Sequence, residues 1–358
     1  MVERVSRRTW LQTAAGTALG LAAGFGLGAS VANFSGSQKT LEHTVTTTVA
    51  SLGQPVQTLS ARDGLPVAVS AQYVPDMFAS YKGFWKKFAL DAQVIPLQGG
   101  PSVITALNGG QVDFFHSLAY EELRAIETNG MPLKLIAQTS TGMDYVLVGS
   151  TSGKTVKSAD DLRGKRVGVT AVGSATNVMI RRAAVKFGLD PDKDIITVPL
   201  GGLDAQLTAL RGNQTDMFVW STDGGLSVEE KQAGSILFYL KDILPDAGGT
   251  FFCTSQDLID KNPALITRFL RAFFYTLQYM HDNQSEVIAF AADYLKLSKE
   301  HAQAALDVEN FKVDGTISSE MIMAHQQVLI DAKWLSKNIP LDNLIDQRWL
   351  VDKTPILP

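Results

Sequence analysis

Cysteine occurs once in these 358 residues, at Cys253, which excludes a disulfide framework and a thiolate metal site. The five histidines (His43, His116, His281, His301 and His325) are scattered, without the spacing that sets two ligands on one metal. A phosphate-loop lysine, a nucleophile elbow and a Cys–His pairing of usable spacing are all lacking, so no catalytic residue, metal or cofactor is expected. Charge is sparse as well. Charged residues make up 19% of the chain and the net charge is −4, which gives no electrostatic basis for binding nucleic acid or an anionic membrane. Against this, 45% of the residues are hydrophobic, enough for a large core that needs no covalent staples even outside the cell.

The N-terminus has the order of a secretory leader. Arg4, Arg7 and Arg8 precede an uncharged run over 9–38 rich in Ala, Gly and Leu. Ser6-Arg7-Arg8-Thr9-Trp10-Leu11 resembles the twin-arginine export motif, with Trp in the place usual for Phe. A small-residue cleavage site ends at Ala32, and no Cys follows the run to carry a lipid. Residues 1–36 are therefore expected to be a cleaved signal peptide. If it were kept, the run is long enough to span a bilayer, though its Gly and Ala make it a weak anchor. Residues 37–64 are rich in Thr, Ser and Gln and read as a flexible tether.

Beyond the tether a stretch of the chain is written twice. VIPLQGGPSVITALNGGQVDFFHS, from Val94, is echoed by TVPLGGLDAQLTALRGNQTDMFVW, from Thr197, with Pro-Leu, a Gly, Thr-Ala-Leu, Gly, Gln, Asp and Phe in matching places. Lys87-Phe88-Ala89-Leu90-Asp91 recurs as Lys186-Phe187-Gly188-Leu189-Asp190, and Val67–Ala71 matches Val167–Ala171. A unit repeated once, about a hundred residues on, points to two similar lobes facing each other across a cleft. Within each copy, short apolar runs alternate with helical patterns, as in a βαβ sheet covered on both faces. Strands are expected at 67–69, 92–97, 112–115 and 134–137, and again at 166–169, 195–200 and 215–219. Helices are expected at 77–88 and 102–107, then at 176–187 and 203–210. Two Gly-rich joints, 149–153 and 245–249, bracket the second copy and are read as a two-segment hinge. Lobe I is then 65–148 plus 251–358, and lobe II is 149–250. Past Asn262-Pro263, a cap and first-turn pair, Leu265, Ile266, Phe269, Leu270, Phe273, Phe274, Leu277 and Met280 form one wide apolar helix face. This helix and those expected at 285–295, 299–308 and 318–335 are read as packing around lobe I.

Certain words carry a resemblance. Gly83-Phe84-Trp85-Lys86-Lys87-Phe88-Ala89-Leu90-Asp91, Gly110-Gln111-Val112-Asp113-Phe114, Ser158-Ala159-Asp160-Asp161-Leu162-Arg163-Gly164-Lys165-Arg166-Val167-Gly168-Val169 and the turn Gly173-Ser174 occur in this order. The set resembles the periplasmic solute-binding proteins of ABC importers, in the group that takes up taurine and other sulfonates, nitrate or bicarbonate, and pyrimidine precursors of thiamine. It implies an α/β, two-lobed periplasmic-binding-protein fold (type II-like), an ABC permease in the membrane as partner, a monomer, and a place in the periplasm or on the outer face of the cytoplasmic membrane.

Ligands of open α/β sheets bind beyond the carboxyl ends of strands, at helix N-termini. The duplication sets such loops in pairs, and they supply the candidate ligand-binding residues. Tyr73 follows the first strand, and Gly173, Ser174 and Thr176 follow its counterpart. Gly100 and Ser102 follow the second strand. Ser117 and Trp220 end the two third strands, a small polar residue against a large ring that can stack on a planar solute. Thr141 and Asp144 lie near the crossover. Asp223 falls where relatives in the resembling group often carry a ligand-facing acid. The ordinary alternatives are N-capping for Ser174 and Thr176, core packing for Trp220, and solvated loop carboxylates for the two Asp. The candidate loops contain no Arg or Lys, so an anion would rest on helix N-termini alone, without a guanidinium fork. The expectation is a receptor delivering a planar, nitrogen-containing solute, such as a pyrimidine or thiamine precursor, to an importer by lobe closure. A sulfonate, taurine or nitrate binder is the alternative. Readings of another class are an enzyme on the same fold or, with the leader kept, an anchored sensor. A thiamine-pyrimidine synthase of similar architecture relies on a Cys-rich iron motif that one cysteine cannot supply.

Overall fold

The structure, a computed structural model, describes residues 56–150, 156–349 and 353–356. The expected leader, and the tether before residue 56, lie outside the described residues. In chain order the strands are β1 (Leu59–Leu65), β2 (Leu90–Pro96), β3 (Phe114–Ser117), β4 (Leu133–Gln138), β5 (Tyr145–Gly149), β6 (Arg166–Val169), β7 (Ile196–Pro199), β8 (Met217–Ser221), β9 (Ser235–Tyr239) and β10 (Phe251–Ser255). They form two five-stranded sheets of one topology, β2-β1-β3-β10-β4 and β7-β6-β8-β5-β9. In each, the first three strands run parallel, and the fourth position holds an antiparallel strand, β10 or β5.

The helices between strands are α1 (Val74–Lys82), α2 (Phe84–Lys87), α3 (Gly100–Asn108), α4 (Tyr120–Asn129), α5 (Ala159–Leu162), α6 (Ala175–Lys186), α7 (Leu203–Arg211) and α8 (Thr222–Glu230). The helix expected over 77–88 is broken in two at Gly83, whose φ of +67° closes α1 with bonds from its amide to the Ala79 and Ser80 carbonyls. After β10 come α9 (Gln256–Lys261), α10 (Pro263–Asp282), α11 (Gln284–Leu295), α12 (Lys299–Glu309), α13 (Ser319–Asp331) and α14 (Leu341–Leu344). Asn262 caps α10 by accepting the Leu265 amide, and all eight apolar residues expected on its inner face are buried. Phe269 is central to that packing, stacked on Phe114 at 3.9 Å between ring centres and on Trp85 at 5.1 Å. Helix α10 thus closes the core of the first lobe.

Two expectations are corrected. The first strand is Leu59–Leu65, earlier than 67–69, so the tether expected to reach residue 64 runs into the sheet. The first crossover is 139–144, earlier than 149–153, because Tyr145–Gly149 already belongs to the second sheet. The word match of Val67–Ala71 to Val167–Ala171 is therefore not a structural one. Gly64, level with Phe115 of β3, corresponds instead to Gly168, level with Phe218 of β8. A Cβ on Gly64 would fall 2.6 Å from Val103 of α3, and one on Gly168 would fall 2.1 Å from Gln206 of α7. Both glycines let a helix lie close on its strand.

This alignment explains the Asp in the echoed words. In β1, Arg62 bonds Asp113 through its backbone amide (2.8 Å) and guanidinium (2.7 and 3.0 Å). In β6, Arg166 repeats the pattern on Asp216, at 2.8, 3.0 and 3.2 Å. Each pair ties the entry of the third strand to the first strand, at the ends away from the cleft.

The strands of the second sheet all fall between β4 and β10 of the first. The chain leaves β4 at Gln138 and returns into β10 at Phe251, and these two residues are register partners. The two crossovers are themselves paired. The Thr139 amide donates to the Thr250 carbonyl at 2.8 Å, and the Gly249 amide to the Gly142 carbonyl at 2.7 Å. Gly248 lies so close that a Cβ would sit 2.4 Å from the Gly142 oxygen.

Candidate functional site

Beyond the carboxyl ends of β1, β2 and β3 in one sheet and of β6 and β8 in the other lies a narrow cavity of about 30 Å³, partly open to solvent. Lobe I lines it with Ser70, Gln72, Tyr73, Gly100, Ser117 and Glu121. Lobe II answers with Tyr145, Thr170, Ala175, Thr176, Trp220 and Ser221. No Lys or Arg is among the lining residues.

Five of the residues expected from sequence line this cavity: Tyr73, Gly100, Ser117, Thr176 and Trp220. Trp220 is 3% exposed and lies against Gly224, where a Cβ would fall 2.1 Å from the indole. Ser117 is engaged locally, donating to Glu122 at 2.5 Å and accepting the Ala119 amide at 3.0 Å.

The other six stand elsewhere. Ser174 is the N-cap of α6, accepting the Asn177 amide, and Gly173 accepts from the Arg124 guanidinium at 3.1 Å. Ser102 donates to the Gln98 carbonyl at 2.8 Å in the first turn of α3. Thr141 pairs with Asn310 beside the end of α12. Asp144 is behind the cavity wall, holding the side-chain amide of Gln72 at 3.0 Å. Burial pushes the Asp144 carboxyl up to about 7, and burial together with the Asp144 charge raises Glu309 well above the usual carboxyl range. Asp223 crosses between lobes: its Oδ1 accepts the Ala71 amide at 3.2 Å, beside a 3.1 Å hydrogen bond between Ser70 and Ser221.

Sequence reasoning missed Glu121. It sits in the first turn of α4, after Ala119, which adopts a left-handed conformation (φ +67°) that costs an alanine on the order of 1 kcal/mol. Its Oε1 accepts the Ala175 amide at 2.8 Å, so a lobe I carboxylate occupies the N-terminus of lobe II helix α6. It also lies over Gly100, where a Cβ would be 2.1 Å from Oε1. The other oxygen, Oε2, is buried and has no hydrogen-bond partner. Burial raises Glu121 to about 7, opposed by the Ala175 amide and by Arg124, and raises Glu122 to about 8, helped by the charge of Glu121. The sequence signal was present: Glu121-Glu122 is a doubled acid directly after a strand tip.

His116 does not reach the cavity. It is wholly buried in lobe I, its Nδ1 3.1 Å from Asp76 and its Nε2 2.8 Å from Thr139, which continues to Thr250 at 2.6 Å. Cys253 is buried, and burial pushes its thiol well up, so it is no nucleophile. Among the described residues no group of three His, Cys, Asp or Glu is placed to hold a metal, and no helix is long and apolar enough to cross a membrane.

Comparison with known proteins fits this architecture. The family described as NMT1/THI5 like matches residues 70–287. The chain belongs to that family. A Brucella abortus protein (strain 2308) named only as a binding protein is 26% identical over 288 residues, covering 76% of this chain and 84% of its own. The 4-amino-5-hydroxymethyl-2-methylpyrimidine phosphate synthase of Candida albicans (strain WO-1) is 26% identical over 232 residues, 58% of this chain and 63% of the synthase. Among solved structures, the alkanesulfonate-binding protein SsuA of Xanthomonas axonopodis pv. citri, bound to MOPS, superposes with a TM-score of 0.68 at 16% identity, over 82% of this chain and 100% of that one. This NMT1/THI5-like protein has the two-lobed α/β periplasmic-binding-protein fold. Its relatives include both binding proteins and a synthase.

Proposed function

We propose that the protein is an extracytoplasmic receptor that captures a small, planar, nitrogen-containing solute in the cleft and hands it to an ABC importer by lobe closure. The carrying observation is the cavity itself, walled by side chains of both lobes at their strand tips. A solute bound there touches both lobes at once, and such contacts favour the closed arrangement. Aromatic residues contribute from each side, Tyr73 from lobe I and Tyr145 and Trp220 from lobe II, which suits a flat ring. Tyr73 and Tyr145 have hydroxyls raised well above their usual range by burial, so both offer neutral phenols.

The lining supports a donor-bearing solute over an anion, since it holds carboxyl and hydroxyl groups and no base. A sulfonate or nitrate binder is the second reading, favoured by the fold shared with the alkanesulfonate-binding protein. An enzymatic role is the reading of another class, given a relative named as a synthase. The N-terminal motif supports export, and sequencing the mature N-terminus separates a free receptor from an anchored sensor.

Calorimetry against sulfonates, nitrate, aminopyrimidines, thiamine precursors, flavins and aromatic acids tests the proposal. Binding of one class, with no chemical change to the recovered solute by mass spectrometry, is expected. A monodisperse, folded sample that binds none of them refutes the receptor reading, and turnover of a bound solute replaces it with an enzyme.

A further inference from the structure

An exposed helix N-terminus attracts an anion, because its first amides are unpaired and its dipole is positive there. In this cleft the first amide of α6, a helix of twelve residues, is already taken by Glu121 from the opposite lobe, at 2.8 Å. The carboxylate cannot be pushed towards α3 without displacing that helix, since Gly100 lies directly beneath it. Its second oxygen lies in a residue that lines the cavity, is 6% exposed, and has no partner of its own. An acceptor so placed is costly unless a donor meets it.

We infer that Glu121 determines which solutes the cleft accepts: it fills the place where an anionic group would dock on α6, and presents Oε2 to an N–H or protonated nitrogen of the solute. This rests on the receptor reading and narrows it to solutes with a nitrogen donor at one edge, excluding those that enter by a sulfonate, nitrate or carboxylate end. Arg124, whose charge favours the ionised form of Glu121, is not among the residues lining the cavity. Its guanidinium is held on the Gly173 carbonyl and 4.3 Å from the centre of the Trp334 ring, outside the lining.

Two variants separate the two halves of this inference. Glu121→Ala empties the α6 N-terminus, whereas Glu121→Gln keeps its shape and an accepting oxygen but loses the charge. Binding of methanesulfonate and of 4-aminopyrimidine is measured by calorimetry for the wild type and both variants, with cooperative thermal unfolding as the folding control. Methanesulfonate affinity is expected to rise at least tenfold in Glu121→Ala and to change little in Glu121→Gln, while 4-aminopyrimidine affinity falls at least tenfold in both. Equal methanesulfonate affinity in wild type and Glu121→Ala, including no binding to either, overturns the inference. The solute panel above then still decides whether the protein is a receptor. If Glu121→Ala does not fold, unchanged 4-aminopyrimidine affinity in Glu121→Gln overturns the inference by itself.

Discussion

The two lobes reach into each other in the same way and with different results. In each, the helix after the third strand sends a carboxylate from its first turn to the start of the helical segment after the other lobe's first strand. Glu121 of α4 goes to the Ala175 amide, and Asp223 of α8 to the Ala71 amide. Asp223 is satisfied within the protein, with Ser70 and Ser221 as further partners. Glu121 is half satisfied, one oxygen bonded and one buried without a partner. A duplicated scaffold thus carries one clasp that only holds and one that also reads.

The largest expected effect comes from the residue that sets the lobes' third-strand tips apart. Trp220→Ala should weaken solute binding more than tenfold (about 1.4 kcal/mol) and lower stability by about 3–5 kcal/mol, since the indole is buried against α8. Ser117→Ala at the matching tip should cost far less on both counts. Calorimetry and denaturant melts check the contrast, and equal losses would erase it. Next is the satisfied clasp. Asp223→Ala strands the Ala71 amide and should cost about 1–3 kcal/mol, with small-angle scattering reporting a more open particle. An unchanged radius of gyration would mean that the clasp does not hold the lobes.

The pH response should be smaller and opposite to that of a salt-bridged protein. Glu121 at about 7, Glu122 at about 8 and Asp144 at about 7 all stand above ordinary carboxyl values. The native state therefore binds more protons than the unfolded chain between roughly pH 5 and 8, and stability falls as pH rises through that window. The melting temperature should be higher at pH 5.5 than at pH 8.5, and Glu121→Gln should flatten the difference. A rise with pH would assign these groups the wrong environment. Smallest is the twin pair at the far ends. Arg62→Ala and Arg166→Ala should each cost under about 1 kcal/mol, because both side chains are more than a third exposed. Their effects should add, since the pairs lie in separate sheets. A sum that departs clearly from additivity would show the sheets to be coupled.

Most of the strand and helix order was legible in sequence, because hydrophobic periodicity is a local property and the duplication doubled its evidence. The β1 strand was not. Its sequence, LSARDGL, carries Arg62 and Asp63, which read as tether until the sheet supplies Asp113 for the arginine and a buried site where Asp63 is raised well above its usual value, by burial and by Asp76. The first crossover was misplaced because Gly149-Ser150 has turn chemistry, whereas 139–144 is committed by pairing with a segment more than a hundred residues away. In the site, Ser117 and Trp220 followed from the strand pattern, whereas Tyr73 was reached from a strand placed too late, since β1 already ends at Leu65. Glu121 did not follow from the pattern, since its partner is an amide of the other lobe and neither end of that contact is visible from the other's neighbourhood in sequence.

The paired crossovers bear on how the molecule moves. Two separate tethers would let the lobes twist, slide and swing independently. A ribbon two strands wide, stitched by Thr139 to Thr250 and by Gly249 to Gly142, flexes easily out of its own plane and resists shear within it. The lobes are expected to part along a single arc, returning the same side chains to the same places each time they close.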